Sequence, residues 1–113
     1  MQAQSTAASP PTIRVRRMDF PFADAQIPKW WFKNNPLITH ASNGLNLLFP
    51  KGEQFFIRSV KHYLDDIDDP DLLARIKGFF GQEGRHGHEH QRANKLITDH
   101  GLDIDGFLDL YER

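Results

Sequence analysis

The sequence predicts an all-α protein, consisting of a long αα-hairpin, the start of a third helix and an irregular N-terminal arm. Residues that favour strands are scarce, since the 113 residues include only two valines and four threonines. An asparagine or aspartate directly before a proline, a pattern typical of helix N-termini, occurs at Asn35-Pro36 and at Asp69-Pro70. No proline follows Pro70, so one long helix can extend from there.

The N-terminal residues predict no helix. Residues 1–12 are small and polar and include two prolines, which is typical of a disordered leader. Residues 12–22 alternate loosely, with Ile13 and Val15 flanked by arginines, and this pattern favours an extended arm lying across a surface. Residues 13–113 are expected to form one helical domain.

The first helix is expected to begin at Pro36 and to run to Leu48. Pro50 and Gly52 then interrupt the pattern and predict a kink or a restart, because proline removes a backbone donor and clashes with the preceding turn. The helix is expected to resume to about Leu64.

An acidic turn, residues 64–71, separates the first helix from the second. It lacks the glycine and the late glutamate of a calcium-binding loop, so helix capping and solubility explain it better. The second helix is predicted over residues 70–100, with Gly101 as its C-terminal stop. A third helix is predicted to open at Asp103.

Composition narrows the classes of function. The chain has 14 Lys and Arg against 15 Asp and Glu, which gives no electrostatic reason to expect a nucleic-acid partner. Because cysteine is absent from the sequence, any metal ligands must be His, Asp or Glu. The sequence has no apolar run of membrane-helix length and no secretory signal pattern. We therefore expect a cytoplasmic protein with no membrane partner.

Polar side chains interrupt the face of the second helix that is expected to be buried. Steps of four and three along this helix give a stripe with apolar ends and a polar middle: Leu72, Ile76, Phe79, Glu83, His86, His90, Ala93 and Ile97. At 100° per residue, Glu83, His86 and His90 fall within an arc of about 60°. The spacing predicts that a carboxylate and two imidazoles face the core together.

The first helix carries a matching carboxylate. The same count there gives Phe49, Glu53, Phe56, Val60 and then Tyr63 or Leu64. In an antiparallel hairpin, residues equidistant from the turn lie level with each other. The residues midway between Glu53 and either Glu83 or His86 fall within the acidic turn, so Glu53 is predicted to lie opposite both.

These groups together favour a metal site. Two buried carboxylates repel each other, and an unpaired buried charge costs several kcal/mol, whereas a divalent or trivalent cation relieves both penalties. Glu53, Glu83, His86 and His90 are the candidate ligands. They form half of the set used by four-helix carboxylate sites, in which two helices each supply a Glu and two each supply a Glu-x-x-His. The alternative is a hydrogen-bonded polar layer without metal, in which Glu53 accepts from His86.

Two polar residues beside the arc are expected to be solvated. His88 and Glu89 lie off the inward face, although Glu89 has an alternative role as an acceptor for an imidazole N–H. The zinc-protease pattern His-Glu-x-x-His is absent, because His90-Gln91-Arg92 follows them.

Glycine recurs at every third position through this region, although each glycine disfavours a helix by about 0.8–1.0 kcal/mol relative to alanine. The four positions are Gly78, Gly81, Gly84 and Gly87. The recurrence has two interpretations: a bare ridge that admits a helix or ligand close to the backbone, or a helix that bends there.

The combined motif resembles one family. The segment Phe49-Pro50-x-Gly52-Glu53-x-Phe55-Phe56, followed by Phe80-Gly81-Gln82-Glu83-x-x-His86-x-x-Glu89-His90-x-x-x-Asn94, is similar to the bacterial family described as predicted metal-dependent hydrolases. Trp31-Phe32 and Asn35-Pro36 also fit that family, so the resemblance covers roughly residues 12–113. It implies a ferritin-like bundle with Glu53, Glu83 and His86 as metal ligands, and with His90 or Glu89 as a ligand or its support.

The resemblance also bears on the length of the chain. Members of that family are typically more than twice as long, so this chain is expected to correspond to the N-terminal half of a bundle or to a short version. In a short version, two copies forming a homodimer would supply two Glu53 and two Glu83-x-x-His86 sets, the full number for a four-helix site.

The function that the resemblance implies is metal-dependent hydrolysis of a small-molecule substrate of unknown identity, with Glu53 or Glu89 as general base. The ligand set fits a di-iron or di-manganese oxidase or oxygenase equally well, and a non-catalytic helical assembly module is a third alternative. Carboxylate-rich sites with imidazole favour iron or manganese, with zinc as a further candidate.

Overall fold

A computed structural model describes residues 11–23, 26–111 and 113. Within these ranges the chain is helical and has no strand, which confirms the predicted fold class. Helix α1 spans Pro36–Lys61, a 3₁₀ turn spans Leu64–Asp66, helix α2 spans Pro70–Asp99 and helix α3 spans Asp105–Tyr111. Most of the predicted leader, residues 1–12, lies outside the described residues.

Helix α1 begins where the sequence predicts. Asn35 has an extended backbone, and its Oδ1 accepts from the N–H of Ile38 at 3.1 Å, while Pro36 occupies the first turn, where no N–H is needed. The helix continues without interruption through Pro50 to Lys61. Of the two outcomes expected at Pro50, the restart is therefore not observed.

Both ends of α2 agree with the prediction to within one residue. At the N-terminus, the Oδ1 of Asp69 accepts from the N–H of Leu72 at 3.2 Å. At the C-terminus, Gly101 has a φ of 87°, and the N–H of Leu102 donates to the carbonyl of Ile97 at 3.4 Å. This is a Schellman ending, which requires the left-handed backbone that glycine adopts without strain.

Helix α3 starts two residues after the predicted position. Asp103 stays outside the helix, because its Oδ1 accepts from the N–H of Asp105 at 3.1 Å. Helix α3 contacts α1. No helix in the described part of the chain is long and apolar enough to cross a membrane.

Helices α1 and α2 pack against each other as an antiparallel hairpin. Asn46 lies opposite His90 and Asn94, whereas Glu53, which is nearer the turn, lies opposite His86. This arrangement confirms the predicted register between Glu53 and His86.

The buried stripe of α1 differs from the predicted one. The predicted aromatic members Phe49, Phe56 and Tyr63 are 39%, 51% and 61% exposed. The buried residues of this helix are Thr39, Asn43, Leu47, Pro50 and Glu53. Two of them face the N-terminal segment, since Thr39 accepts from the N–H of Phe32 and Asn43 accepts from Nε1 of Trp31. Part of this buried face therefore packs against residues 31–32.

The N-terminal arm runs along α2 and packs on its glycines. A Cβ atom at Gly78 would lie 2.5 Å from the carbonyl oxygen of Ile13, and one at Gly81 would lie 2.5 Å from Cγ2 of Val15. These contacts confirm the predicted arm across a surface. They also favour the bare-ridge interpretation of the glycines, with the arm as the element that approaches the backbone.

Candidate metal centre

Three potential metal ligands converge where the two long helices meet. Glu53, His86 and His90 each present one ligand atom, and the three atoms lie within 4.8 Å of one another. The Oε1 of Glu53 is 2.9 Å from Nδ1 of His86 and 3.9 Å from Nε2 of His90. The Nε2 atoms of the two imidazoles are 3.0 Å apart.

The local helix geometry brings these atoms together. His86 and His90 are four residues apart, so their rings lie one above the other on α2, with centroids 4.6 Å apart. Glu53 reaches between the helices over Gly87, where a Cβ atom would lie only 2.6 Å from its Oε2. Gly87 therefore provides the space that the carboxylate occupies, whereas a Cβ at Gly84 would have nothing within 4 Å.

The Glu53 carboxylate is buried without a hydrogen bond. Its residue is 3% exposed, and no hydrogen-bond donor among the described residues satisfies either oxygen. The Nδ1 of His86 is close at 2.9 Å, but it does not lie in hydrogen-bonding geometry. Burial, and secondarily the charge of Glu83, raise the pKa of Glu53 to about 7.

The second imidazole has the protonation state that metals prefer. Burial lowers the pKa of His90, and the neighbouring His86 lowers it further. His90 is therefore neutral at pH 7, the form in which a ring nitrogen offers a lone pair to a cation. Its ring also stacks on Phe49, with centroids 4.6 Å apart and an interplanar angle of 16°.

Glu83 lies beside Glu53, His86 and His90. Among the described residues, however, it does not belong to the group whose ligand atoms all lie within 4.8 Å of one another. Glu83 is partly buried, and its negative charge contributes to the raised pKa of Glu53. A depression of about 250 Å³ opens at this point, and its lining includes Glu53, Glu83, Gly87 and His88. Glu83 and Glu53 thus face one common space, although the structure does not place them together as ligands.

The expectation that Glu89 is solvated was wrong. The residue is 7% exposed, and its two oxygens accept from Nη1 of Arg92 at 2.9 and 3.0 Å. The N–H of Phe20 also donates to Oε2, at 3.3 Å. Glu89 is buried because the arm covers it, a contact that the periodicity of α2 does not reveal. His88, in contrast, is exposed as expected.

Sequence reasoning missed one polar residue at this site. The Nδ1 of His90 hydrogen-bonds to the Oδ1 of Asn46, and the Nδ2 of Asn46 donates to the Oδ1 of Asn94. Asn46 stands seven residues before Glu53, two turns away on the same side of α1. A polar residue at that spacing was the signal that could have identified it.

The residues present fit a divalent cation. A cation would compensate the unpaired charge of Glu53, and two imidazole nitrogens already face the same point. One carboxylate with two imidazoles is a ligand set found in catalytic zinc sites and in non-haem iron(II) sites, where positions stay open for water or substrate. The side chain of His86 is 45% exposed, so the group is accessible from solvent.

Comparison with known families gives one result for this chain. The family model described as "Predicted metal-dependent hydrolase" matches residues 14–113. No curated protein and no solved structure matches the chain significantly.

Proposed function

Because the chain belongs to the predicted metal-dependent hydrolase family, we propose that it hydrolyses a small-molecule substrate at a cation held by Glu53, His86 and His90. The observation that carries this proposal is the Glu53 carboxylate, which is buried, lies at contact distance from two imidazoles and receives no hydrogen bond from the described residues. A protein that needed only a structural polar layer would be expected to satisfy those oxygens.

The residues of the chain divide the work at this site. Oε1 of Glu53 faces both imidazoles and serves as the ligand atom, whereas Oε2 lies over Gly87 and is free to accept a proton. A cation bound there would polarise water and lower its pKa, which is the chemistry that hydrolysis requires. Glu83 is the proposed fourth ligand, because it faces the same depression.

Glu89 is the weaker of the two expected general bases. Both of its oxygens are held by the guanidinium of Arg92, and it belongs to the contact between α2 and the arm. We therefore assign proton transfer to Glu53 and a structural role to Glu89.

The metal proposed first is iron or manganese, with zinc next. Glu53 and Glu83 together would make a carboxylate-rich site, which favours the first two metals. The same ligands support oxygen-dependent oxidation as a second candidate function, since one carboxylate and two imidazoles also bind iron(II) in oxygenases.

A homodimer that completes a ferritin-like site remains part of the proposal. Phe49 and Phe56 are 39% and 51% exposed on α1, beside the ligand-bearing part of the helix. A contiguous exposed apolar patch, unlike a single exposed apolar residue, is typical of an interaction surface. A second copy packed there would bring a second set of Glu53, Glu83 and His86.

Metal analysis of anaerobically purified protein tests the proposal. We expect about one divalent ion per chain in the wild type and in His62→Ala, and none in Glu53→Gln or His90→Ala. His62→Ala is the control, because His62 is an exposed histidine at the C-terminal end of α1 and lies outside both the ligand group and the lining of the depression.

Activity distinguishes the candidate functions. The metal-loaded wild type is expected to hydrolyse p-nitrophenyl esters, and a chelator should abolish that activity. Absence of stoichiometric metal in the wild type would overturn the proposal and favour the assembly-module alternative. An oxygen-dependent absorbance change in iron-loaded protein, without hydrolysis, would favour oxidation.

A further inference from the structure

We propose that Asn46 is a positioning residue that holds His90 as the tautomer with its proton on Nδ1 and its lone pair on Nε2. Asn94 in turn holds the amide of Asn46 in the orientation that this requires. The inference rests on the proposed function only where it predicts an effect on metal affinity. The tautomer of His90 is a property of the metal-free protein and does not depend on that function.

The direction of the hydrogen bonds determines the tautomer. Nδ2 of Asn46 donates to Oδ1 of Asn94, so the oxygen of the Asn46 amide is the atom that faces His90. An amide oxygen only accepts hydrogen bonds. The Nδ1 of His90 must therefore carry the proton, and its Nε2 keeps the lone pair.

With this tautomer the Nε2 lone pair of His90 faces the ligand cluster, where it accepts a hydrogen bond from Nε2 of His86. Nε2 of His90 lies 3.0 Å from Nε2 of His86 and 3.9 Å from Oε1 of Glu53. Stacking on Phe49 restrains the plane of the His90 ring. A 180° rotation about the Cβ–Cγ bond would keep that plane but would place a ring carbon where each nitrogen now lies. The hydrogen bond to Asn46 opposes that half-turn, so the two contacts together define the position of the lone pair.

The chain offers a matched control on the same helix. Asn43 stands three residues before Asn46, is 7% exposed, and accepts from Nε1 of Trp31 at 3.0 Å. Like Asn46, Asn43 therefore has a hydrogen-bonded side-chain amide, but its partner is Trp31 and not His90. Substituting Asn43 removes comparable packing without changing the partner of the imidazole.

Histidine nitrogen NMR of the metal-free protein at pH 8 tests the tautomer directly. The expected wild-type spectrum shows a protonated Nδ1 and an unprotonated Nε2 on His90, and Asn43→Leu should give the same spectrum. Asn46→Leu is expected to shift His90 toward protonation at Nε2, which is the preferred form of free imidazole side chains in water. A wild-type His90 protonated at Nε2 would overturn the inference without any variant.

Calorimetric titration with Zn²⁺ tests the consequence. Loss of such an outer hydrogen bond typically lowers metal affinity by about 10–100-fold, and we expect that loss in Asn46→Leu but not in Asn43→Leu. Asn46→Asp should restore affinity, because its carboxylate also accepts from Nδ1. Unchanged affinity in Asn46→Leu, or equal losses in Asn43→Leu, would overturn the positioning role.

The two proposals fail in different ways. If the wild type binds no metal but shows the Nδ1-protonated tautomer, the proposed function fails while the tautomer assignment stands. If it binds metal with His90 protonated at Nε2, the assignment of Asn46 fails alone.

Discussion

Glu53 and Glu89 are both buried carboxylates of the same hairpin, but they have opposite surroundings. Glu53 is 3% exposed and no hydrogen bond from the described residues reaches its oxygens. Glu89 is 7% exposed and receives two hydrogen bonds from Arg92 and one from the backbone of Phe20. Glu53 faces the imidazoles of α2 at the interface between α1 and α2, whereas Glu89 belongs to the contact between α2 and the N-terminal arm.

The difference shows that burial alone does not identify a functional carboxylate. Arg92 compensates Glu89 within the fold and also donates to the carbonyl of Phe20 at 2.8 Å, so this cluster stabilises the arm. The ion-pair partners of Glu53 are the imidazoles of His86 and His90, at 2.9 and 3.9 Å, which carry a charge only when protonated, so burial disfavours the charged form of Glu53 until a cation arrives. Substitution of each residue should therefore change a different property.

The largest expected effect is on metal binding by Glu53→Gln. We expect metal affinity to fall at least about 100-fold, because the only carboxylate of the three-residue group is lost. In the wild type, metal at 100 times its Kd should raise the free energy of unfolding by about 2.7 kcal/mol, and at the same metal concentration this increase should fall to about 0.4 kcal/mol or less in the variant. Thermal unfolding with and without metal measures it. Equal metal stabilisation of both proteins would remove Glu53 from the site.

Glu89→Gln should change stability instead. We expect the free energy of unfolding to fall by about 2 kcal/mol, since Arg92 loses its charged partner where the arm packs. Urea unfolding of the metal-free protein measures this loss, with Glu53→Gln, which should not lose stability, as the comparison. A Glu89→Gln protein of normal stability that no longer binds metal would transfer the ligand role to Glu89.

The pH dependence should also separate the two carboxylates. The pKa of Glu53 is raised from 4.5 to about 7, so the metal-free folded state binds its proton more tightly than the unfolded state does. The contribution of Glu53 to stability should therefore be fully present below pH 4.5 and should be lost as the pH rises through about 7. Metal affinity should rise by up to about tenfold per pH unit over the same window, because metal displaces that proton. Melting curves of wild type and Glu53→Gln from pH 4.5 to 8 test both signs, and identical curves would contradict this assignment.

The smallest expected effects come from two glycines of α2. Gly84→Ala should stabilise the protein by about 0.8–1.0 kcal/mol, since a Cβ there has nothing within 4 Å. Gly87→Ala should gain less and should bind metal about tenfold more weakly, because its Cβ would displace the Oε2 of Glu53 from a position 2.6 Å away. Unfolding and metal titration of both variants measure the contrast. Full metal affinity in Gly87→Ala would show that the carboxylate moves without loss.

Much of the fold could be predicted because its causes are local. Asn35, Asp69 and Gly101 begin and end helices through contacts within a few residues, and each performs the role expected of it. The register of Glu53 against His86 was also predictable, since two helices joined by a short turn meet level with each other. The exposed rings of Phe49 and Phe56 were not, because hydrophobicity alone does not reveal which apolar positions another element covers.

The sequence by itself determined the helices, the pairing of α1 with α2 and four candidate ligands, Glu53, Glu83, His86 and His90. These features follow from periodicity and capping, which act over one or two turns. The structure brings three of the four candidates, Glu53, His86 and His90, within 4.8 Å of one another. Only the tertiary structure decided which carboxylate is satisfied. The N–H of Phe20 that donates to Glu89 is 69 residues away from it, and Asn46, which orients His90, is 44 residues away. Contacts at such separations depend on how the arm and helices pack in three dimensions. This packing places Glu89 against Arg92 and leaves Glu53 facing two imidazoles, with no hydrogen bond from the described residues.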